Sequence, residues 1–206
     1  MAITINGSGT ITGVSAGGLP DNCITADDLA TTLDLSGNTI TLPSGTGGKV
    51  LQVVQSVNTG AGTFVSGGSG GWVQVNDLNT SITPSSTSSK ILITYSLHIG
   101  RVDGDVYTRI TKGGSVLTSA TGNESGSRTR CTTGGTIRSI YELTNHSATF
   151  LDSPSTTSAI TYGVQIGGNF TGGGTQYVYY NRSEADANDA NAERPIATMT
   201  LMEIAG

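Results

Sequence analysis

Ser88-Ser89-Lys90-Ile91-Leu92-Ile93-Thr94-Tyr95-Ser96-Leu97-His98-Ile99-Gly100-Arg101 is the longest β-favouring run in the chain, dense in β-branched and aromatic residues. Thr83-Pro84-Ser85-Ser86-Thr87 stops it on one side and Val102-Asp103-Gly104-Asp105 on the other. Ile91, Ile93, Tyr95, Leu97 and Ile99 share one face at period two. Lys90, Leu92, Thr94, Ser96 and His98 share the other, which is polar apart from Leu92. The alternation predicts a half-buried strand of an antiparallel sheet. A strand of this length belongs at the middle of that sheet.

Outward from this stretch, residues 49–206 repeat the same grammar. Strands are predicted at 50–57, 72–75 and 106–112, with residues 78–84 leading into the opening stretch and a hairpin across Gly113-Gly114 to 115–117. Further strands are predicted at 136–143, 148–152, 159–168, 176–181 and 197–204, with His146 in a turn between two of them. Glycine- and serine-rich loops are expected at 60–71, 120–135 and 182–194. Roughly eight to ten strands fit an all-β, antiparallel jelly-roll sandwich.

Residues 1–48 are different. Ile3, Ile5 and Ile11 alternate with Thr and Asn around Gly7-Ser8-Gly9, a hairpin signal. Ile24-Thr25-Ala26-Asp27-Asp28-Leu29-Ala30 reads as a short helix with Thr25 as N-cap and acids in its first turn. Residues 33–43 predict a second hairpin. The segment holds too few large apolar residues to bury a core alone, so it needs copies of itself or a partner surface. Ser44 to Gly48 is a flexible boundary, which divides the chain into an extended arm (1–48) and a head (49–206).

Composition excludes several functions. Thirty glycines and only 12% charged residues in 206 suit turns and strands, not helices. A net charge of −5 without a basic stripe argues against nucleic acid. Met1-Ala2-Ile3-Thr4-Ile5 has neither a basic nor an apolar region of the secretory kind, so no secretory signal is expected, and no run approaches the ~20 apolar residues of a membrane helix. Cys23 and Cys131 lie far apart, without metal spacing, and are expected as reduced thiols rather than as a disulfide.

Four further blocks carry a resemblance: Tyr107-Thr-Arg-Ile-Thr-Lys-Gly-Gly, Tyr180-Asn-Arg-Ser-Glu, Met199-Thr-Leu-Met-Glu-Ile, and Ile11-Thr-Gly-Val-Ser-Ala-Gly-Gly-Leu-Pro-Asp followed by residues 24–30. Together with residues 88–100 they resemble tail-fibre and other virion surface proteins of phages, especially phages of cyanobacteria. The resemblance implies a homotrimer whose heads are similar to those of complement and tumour-necrosis-factor proteins. It also implies an arm that binds other virion proteins or intertwines with its copies, with Ile3, Ile5, Ile11, Leu19 and Leu29 as the attachment residues. The polar face of the central strand (Thr94, Ser96, His98), together with Tyr177 and Tyr179, is then the expected trimer interface. Tyr177, Tyr179, Tyr180 and Trp72 suit either glycan stacking or an interface, and the interface is favoured.

Few constellations suggest chemistry. Asp186, Asn188 and Asn191 in the acidic loop are the candidate ligands for Ca²⁺, although their spacing is not that of an EF-hand. No Gly-x-Ser-x-Gly elbow accompanies His98 or His146, and the glycine runs lack the Lys-Ser/Thr of a phosphate loop. No enzyme activity and no obligatory cofactor are expected. Arg128, Arg130 and Trp72 are the expected receptor-facing residues. The expectation is a structural phage protein made in the host cytoplasm and built into the virion, a fibre displaying a head to a host glycan or protein. The rivals are a capsid decoration protein, a glycan-cleaving tailspike and a secreted adhesin.

Overall fold

The computed structural model describes residues 50–66, 71–168, 176–190 and 192–206. The expected hairpins and helix of residues 1–48, with Ile3, Ile5, Ile11, Leu19 and Leu29, lie outside the described residues, as does Cys23.

Among the described residues the chain forms twelve strands. They are β1 (Val50–Asn58), β2 (Gly62–Ser66), β3 (Val73–Gln74), β4 (Thr80–Ile82), β5 (Lys90–Gly100) and β6 (Gly104–Lys112). β7 (Ser115–Val116), β8 (Thr133–Ile137), β9 (Leu143–Asp152), β10 (Ile160–Gly168), β11 (Gln176–Tyr180) and β12 (Ala197–Ile204) follow. All pairings are antiparallel. The first sheet runs β1-β12-β5-β9, and β11-β2 continues along the edge of β5 that β12 leaves free. In the second sheet β10 and β6 are central, β3 and β4 share the outer edge of β10, and β7 and β8 share that of β6. The chain alternates between the sheets so that β1-β12-β5-β9 faces β4-β10-β6-β8, the pairing of a jelly roll.

The opening stretch is the centre of the core. Ile91, Ile93, Tyr95, Leu97 and Ile99 are fully buried, and so are Met199 and Leu201 beside them on β12. The opposing sheet supplies Val106, Ile110, Tyr162, Val164 and Ile166. Gly113 and Gly114 turn β6 into β7 with φ of 58° and 80°, left-handed values that a two-residue hairpin requires and glycine adopts without strain.

Two expected boundaries were misplaced. Residues 136–143 are not one strand: β8 ends at Ile137, and a turn follows in which Glu142 N–H donates to Ser139 O (3.0 Å) and Arg138 N–H donates to Glu142 Oε2 (2.7 Å). Ile140 and Tyr141 looked like strand residues but stand exposed on that turn. β9 therefore starts earlier than expected and carries His146 out of its predicted turn into the core. Likewise the presumed loop at 60–71 contains β2, whose Phe64 stacks on Tyr180 at 5.0 Å.

Asn181 pins the corner where β11 ends. Its φ is 56°, its N–H donates to His98 O (2.9 Å), and its Nδ2 donates to Asn58 O (3.1 Å) and Gly60 O (2.9 Å). Asn181→Ala is expected to cost about 2 kcal/mol, from left-handed strain plus the lost hydrogen bonds. Asn181→Gly removes only the second part, so urea unfolding should rank wild type above Gly and Gly above Ala.

Candidate functional site

The outer face of the first sheet is built in rows across β1, β12, β5 and β9. Val53, Met202, Leu92 and Leu151 form an apolar row. Gln55, Thr200, Thr94 and Thr149 form the next, tied by Gln55 Nε2 donating to Thr200 Oγ1 (2.8 Å) and by a Thr94–Thr149 hydroxyl contact (3.3 Å). Val57, Thr198, Ser96 and Ser147 make the third. Asn145 then bridges Ser96 Oγ and His98 Nε2, each at 3.1 Å. Beyond them Tyr177 and Tyr179 stack at 6.5 Å between ring centres, and Arg182 lies over Tyr179 at 4.2 Å.

Thr94, Ser96, His98, Tyr177 and Tyr179 thus share one face, although Tyr179 is largely covered while Tyr177 is exposed. The three rows hold no ionisable side chain; His98 lies beyond them at one end of this face and Lys90, beside Ile204, at the other. Among the described residues, the large apolar ones that stand exposed on strands are Val50, Leu51, Val53, Val57, Val65, Leu151 and Tyr177, and every one of them belongs to this sheet. The others, Val102, Ile140, Tyr141 and Ile196, are in loops. A face that is apolar at its margins, hydroxyl-rich at its centre and almost free of charge suits contact with another protein surface.

Beneath this face runs a buried polar chain that connects the sheets. Tyr95 OH meets Thr108 Oγ1 (2.6 Å), Thr108 meets Thr133 Oγ1 (2.6 Å), and Thr133 meets His146 Nδ1 (2.8 Å). His146 Nε2 is buried without a partner among the described residues. Burial, with a smaller contribution from His98, pushes the His146 pKa down to about 4, so the ring is neutral at pH 7. Sequence reasoning missed this chain. Its signal was the period-two series Val106-Thr108-Ile110 and His146-Ala148-Phe150, which points Thr108 and His146 inward.

Two other buried polar groups flank Ile91 on β9 and β12 and fix that end of the sandwich. Asp152 receives Tyr162 OH (2.5 Å) and Lys112 Nζ (2.8 Å). Glu203 accepts Ser85 N–H (2.7 Å), Ser85 Oγ (2.6 Å) and Gln52 Nε2 (2.6 Å). Burial alone would raise the Glu203 pKa, but these donors outweigh it and hold it at about 2.

The second sheet turns a different face outward. Trp72 is not at a loop tip: it lies against bare Gly167, where an added Cβ would approach its ring to 2.8 Å, with Arg109 over it at 4.0 Å. Arg109 Nε donates to Gln165 Oε1 (2.7 Å). Arg128 and Arg130 are in the exposed loop, as expected, with Arg128 Nη1 on Ser125 and Arg130 Nε on Gly122 O (2.8 Å). In the acidic loop, Asp186 is paired with both Arg182 (3.0 Å) and Arg194. Its charge is thereby matched by side chains, and Asn191 lies outside the described residues. Among the described residues no three His, Cys, Asp or Glu side chains cluster in a way that could hold a metal ion.

No protein-family model and no curated protein matches this chain. Among solved structures, it is similar to the crystal structure of the infectious bursal disease virus VP2 subviral particle, at 13% identity and a TM-score of 0.31. The match covers 86% of this chain and 46% of that one, so the chain spans about half the length of the viral protein.

Proposed function

We propose that this chain is a structural protein of a phage virion, a homotrimer anchored to the virion by residues 1–48 that displays the jelly-roll head to the host surface. The observation that carries the reading is the outer face of the first sheet, which gathers the strand-borne exposed apolar residues around a nearly uncharged centre. Copies of a chain with net charge −5 repel one another, and they associate best through a face where like charges do not meet. A second copy of the same face satisfies that condition; a strongly charged partner gains nothing from it. The polar face of β5 marks it in sequence, and the resemblance to phage fibres supports both the trimer and the arm.

Fibre and capsid decoration are two placements of the same trimer. Gold-labelled antibody against residues 49–206, applied to intact particles, is expected to mark the tail. Label spread evenly over the capsid would make the chain a decoration protein, and unlabelled particles carrying no copy of it would end the virion reading.

A further inference from the structure

Resting on the reading of the head as host-binding, we propose that the cleft between Arg109 and Arg130 binds an anionic sugar residue, one bearing a carboxylate or a sulfate ester. The cleft opens on the second sheet, away from the face assigned to trimer contact, and holds about 170 Å³ between Arg109, Val116, Thr118, Thr121 and Arg130. That is below the roughly 300 Å³ at which sites for drug-sized ligands begin, and it suits one ring or one ring substituent.

The chemistry of its walls selects charge. Two guanidiniums line it and no acid does. Each spends its Nε inside the protein, Arg109 on Gln165 and Arg130 on the Gly122 carbonyl, which leaves the terminal nitrogens as the fork that grips a planar or tetrahedral oxyanion. Among the described residues neither forms an ion pair, whereas Lys112, Arg182 and Arg194 all do. In a chain where acids outnumber bases, two arginines lining one cleft with no carboxylate between them leave room for an external anion.

The cleft is also held in shape before any ligand arrives. Arg109 is clamped between Trp72 and Gln165 on the central strand β6. The loop bearing Arg130 is stitched to the same strand, with Thr132 N–H on Thr108 O (2.7 Å) and Thr132 Oγ1 accepting Ile110 N–H (3.2 Å). Gly122 N–H donates to Cys131 O (3.1 Å) across that loop. Thr118 brings a hydroxyl for a sugar oxygen, Thr121, whose own hydroxyl donates to Thr118 O (2.8 Å), an acceptor for a sugar hydroxyl, and Val116 an apolar wall for a sugar face. Little ordering remains to be done on binding.

The full-length protein would be passed over immobilised polyglucuronate, dextran sulfate and neutral dextran. Binding to at least one acidic polymer is expected, with none to dextran, and it should weaken as salt rises. Arg130→Gln, an exposed change that leaves the fold in place, and Arg109→Gln should each weaken it on the order of tenfold, while Arg128→Gln should not. Trp72 is the sole tryptophan, so its fluorescence should shift on binding through Arg109, and its unliganded spectrum checks the fold of each variant. Preference for polyglucuronate identifies the carboxylate, and preference for dextran sulfate the sulfate ester. Equal binding to dextran, no binding to either acidic polymer, or full binding by Arg130→Gln overturns the proposal. Because label on the virion reports the structural role alone, a labelled virion with a sugar-blind head would sink this inference and leave that role standing.

Discussion

Thr94→Lys is expected to turn the proposed trimer into monomers. Thr94 is exposed at the middle of the four-strand face, two rows from His98 and flanked by Thr200 and Thr149. A lysine there brings like charges together at the contact and strips their water where no acid stands to receive them, a cost of several kcal/mol. The monomer loses almost nothing, since an exposed strand position changes stability by about 0.5 kcal/mol or less. Ser127→Lys, an equal charge in an exposed loop on the other sheet, serves as the control. Light scattering coupled to size exclusion should give three chain masses for wild type and Ser127→Lys, and one for Thr94→Lys. A trimeric Thr94→Lys, folded by circular dichroism, would show that copies meet elsewhere.

The second large effect is a loss of stability between neutral and mildly acid pH. His146 is neutral in the fold with a pKa near 4, whereas in the unfolded chain it takes up its proton near 6.5. Its folded pKa is the lower of the two, so its contribution is complete above the unfolded value. As pH falls through that window the unfolded chain binds the extra proton and stability falls. The loss is about 2 kcal/mol at pH 5 and approaches about 3 kcal/mol below pH 4. Glu203, held near 2, adds to the loss only at lower pH, since its stabilisation is complete above about 4.5 and disappears between about 4.5 and 2. Urea unfolding at about pH 7.5 and pH 5, at one protein concentration, should show the drop in wild type and little of it in His146→Gln. An imidazole of His146 that titrates above pH 6 in the native protein would refute the assignment.

What could be read from the chain was what a single strand declares about itself. The two faces of β5 were legible residue by residue, because one strand with one buried face leaves its period in the sequence. The Gly113-Gly114 turn was legible for a similar reason: its backbone demand is local. Two kinds of feature were hidden. Ile140 and Tyr141 carry strand-forming side chains into a turn set by hydrogen bonds of Glu142, so apolar content misdirected the boundary. The other hidden features are pairwise. Trp72 beneath Arg109 and the Tyr95-Thr108-Thr133-His146 chain each join residues from different strands or loops, and Asp186 meets two arginines of its own loop. One strand announces which way His146 points, but only the sandwich shows what it meets.

Val50, which opens β1, and Ile204, which closes β12, are cross-strand partners. Topologically the head is therefore a ring with a single seam, entered and left at one point. A short peptide bridging that seam could replace the entry point, and the chain could be reopened at Gly113-Gly114 without cutting a strand. The same geometry sets the rule for cargo: a peptide appended after residue 206 emerges beside the chain's entry into the head.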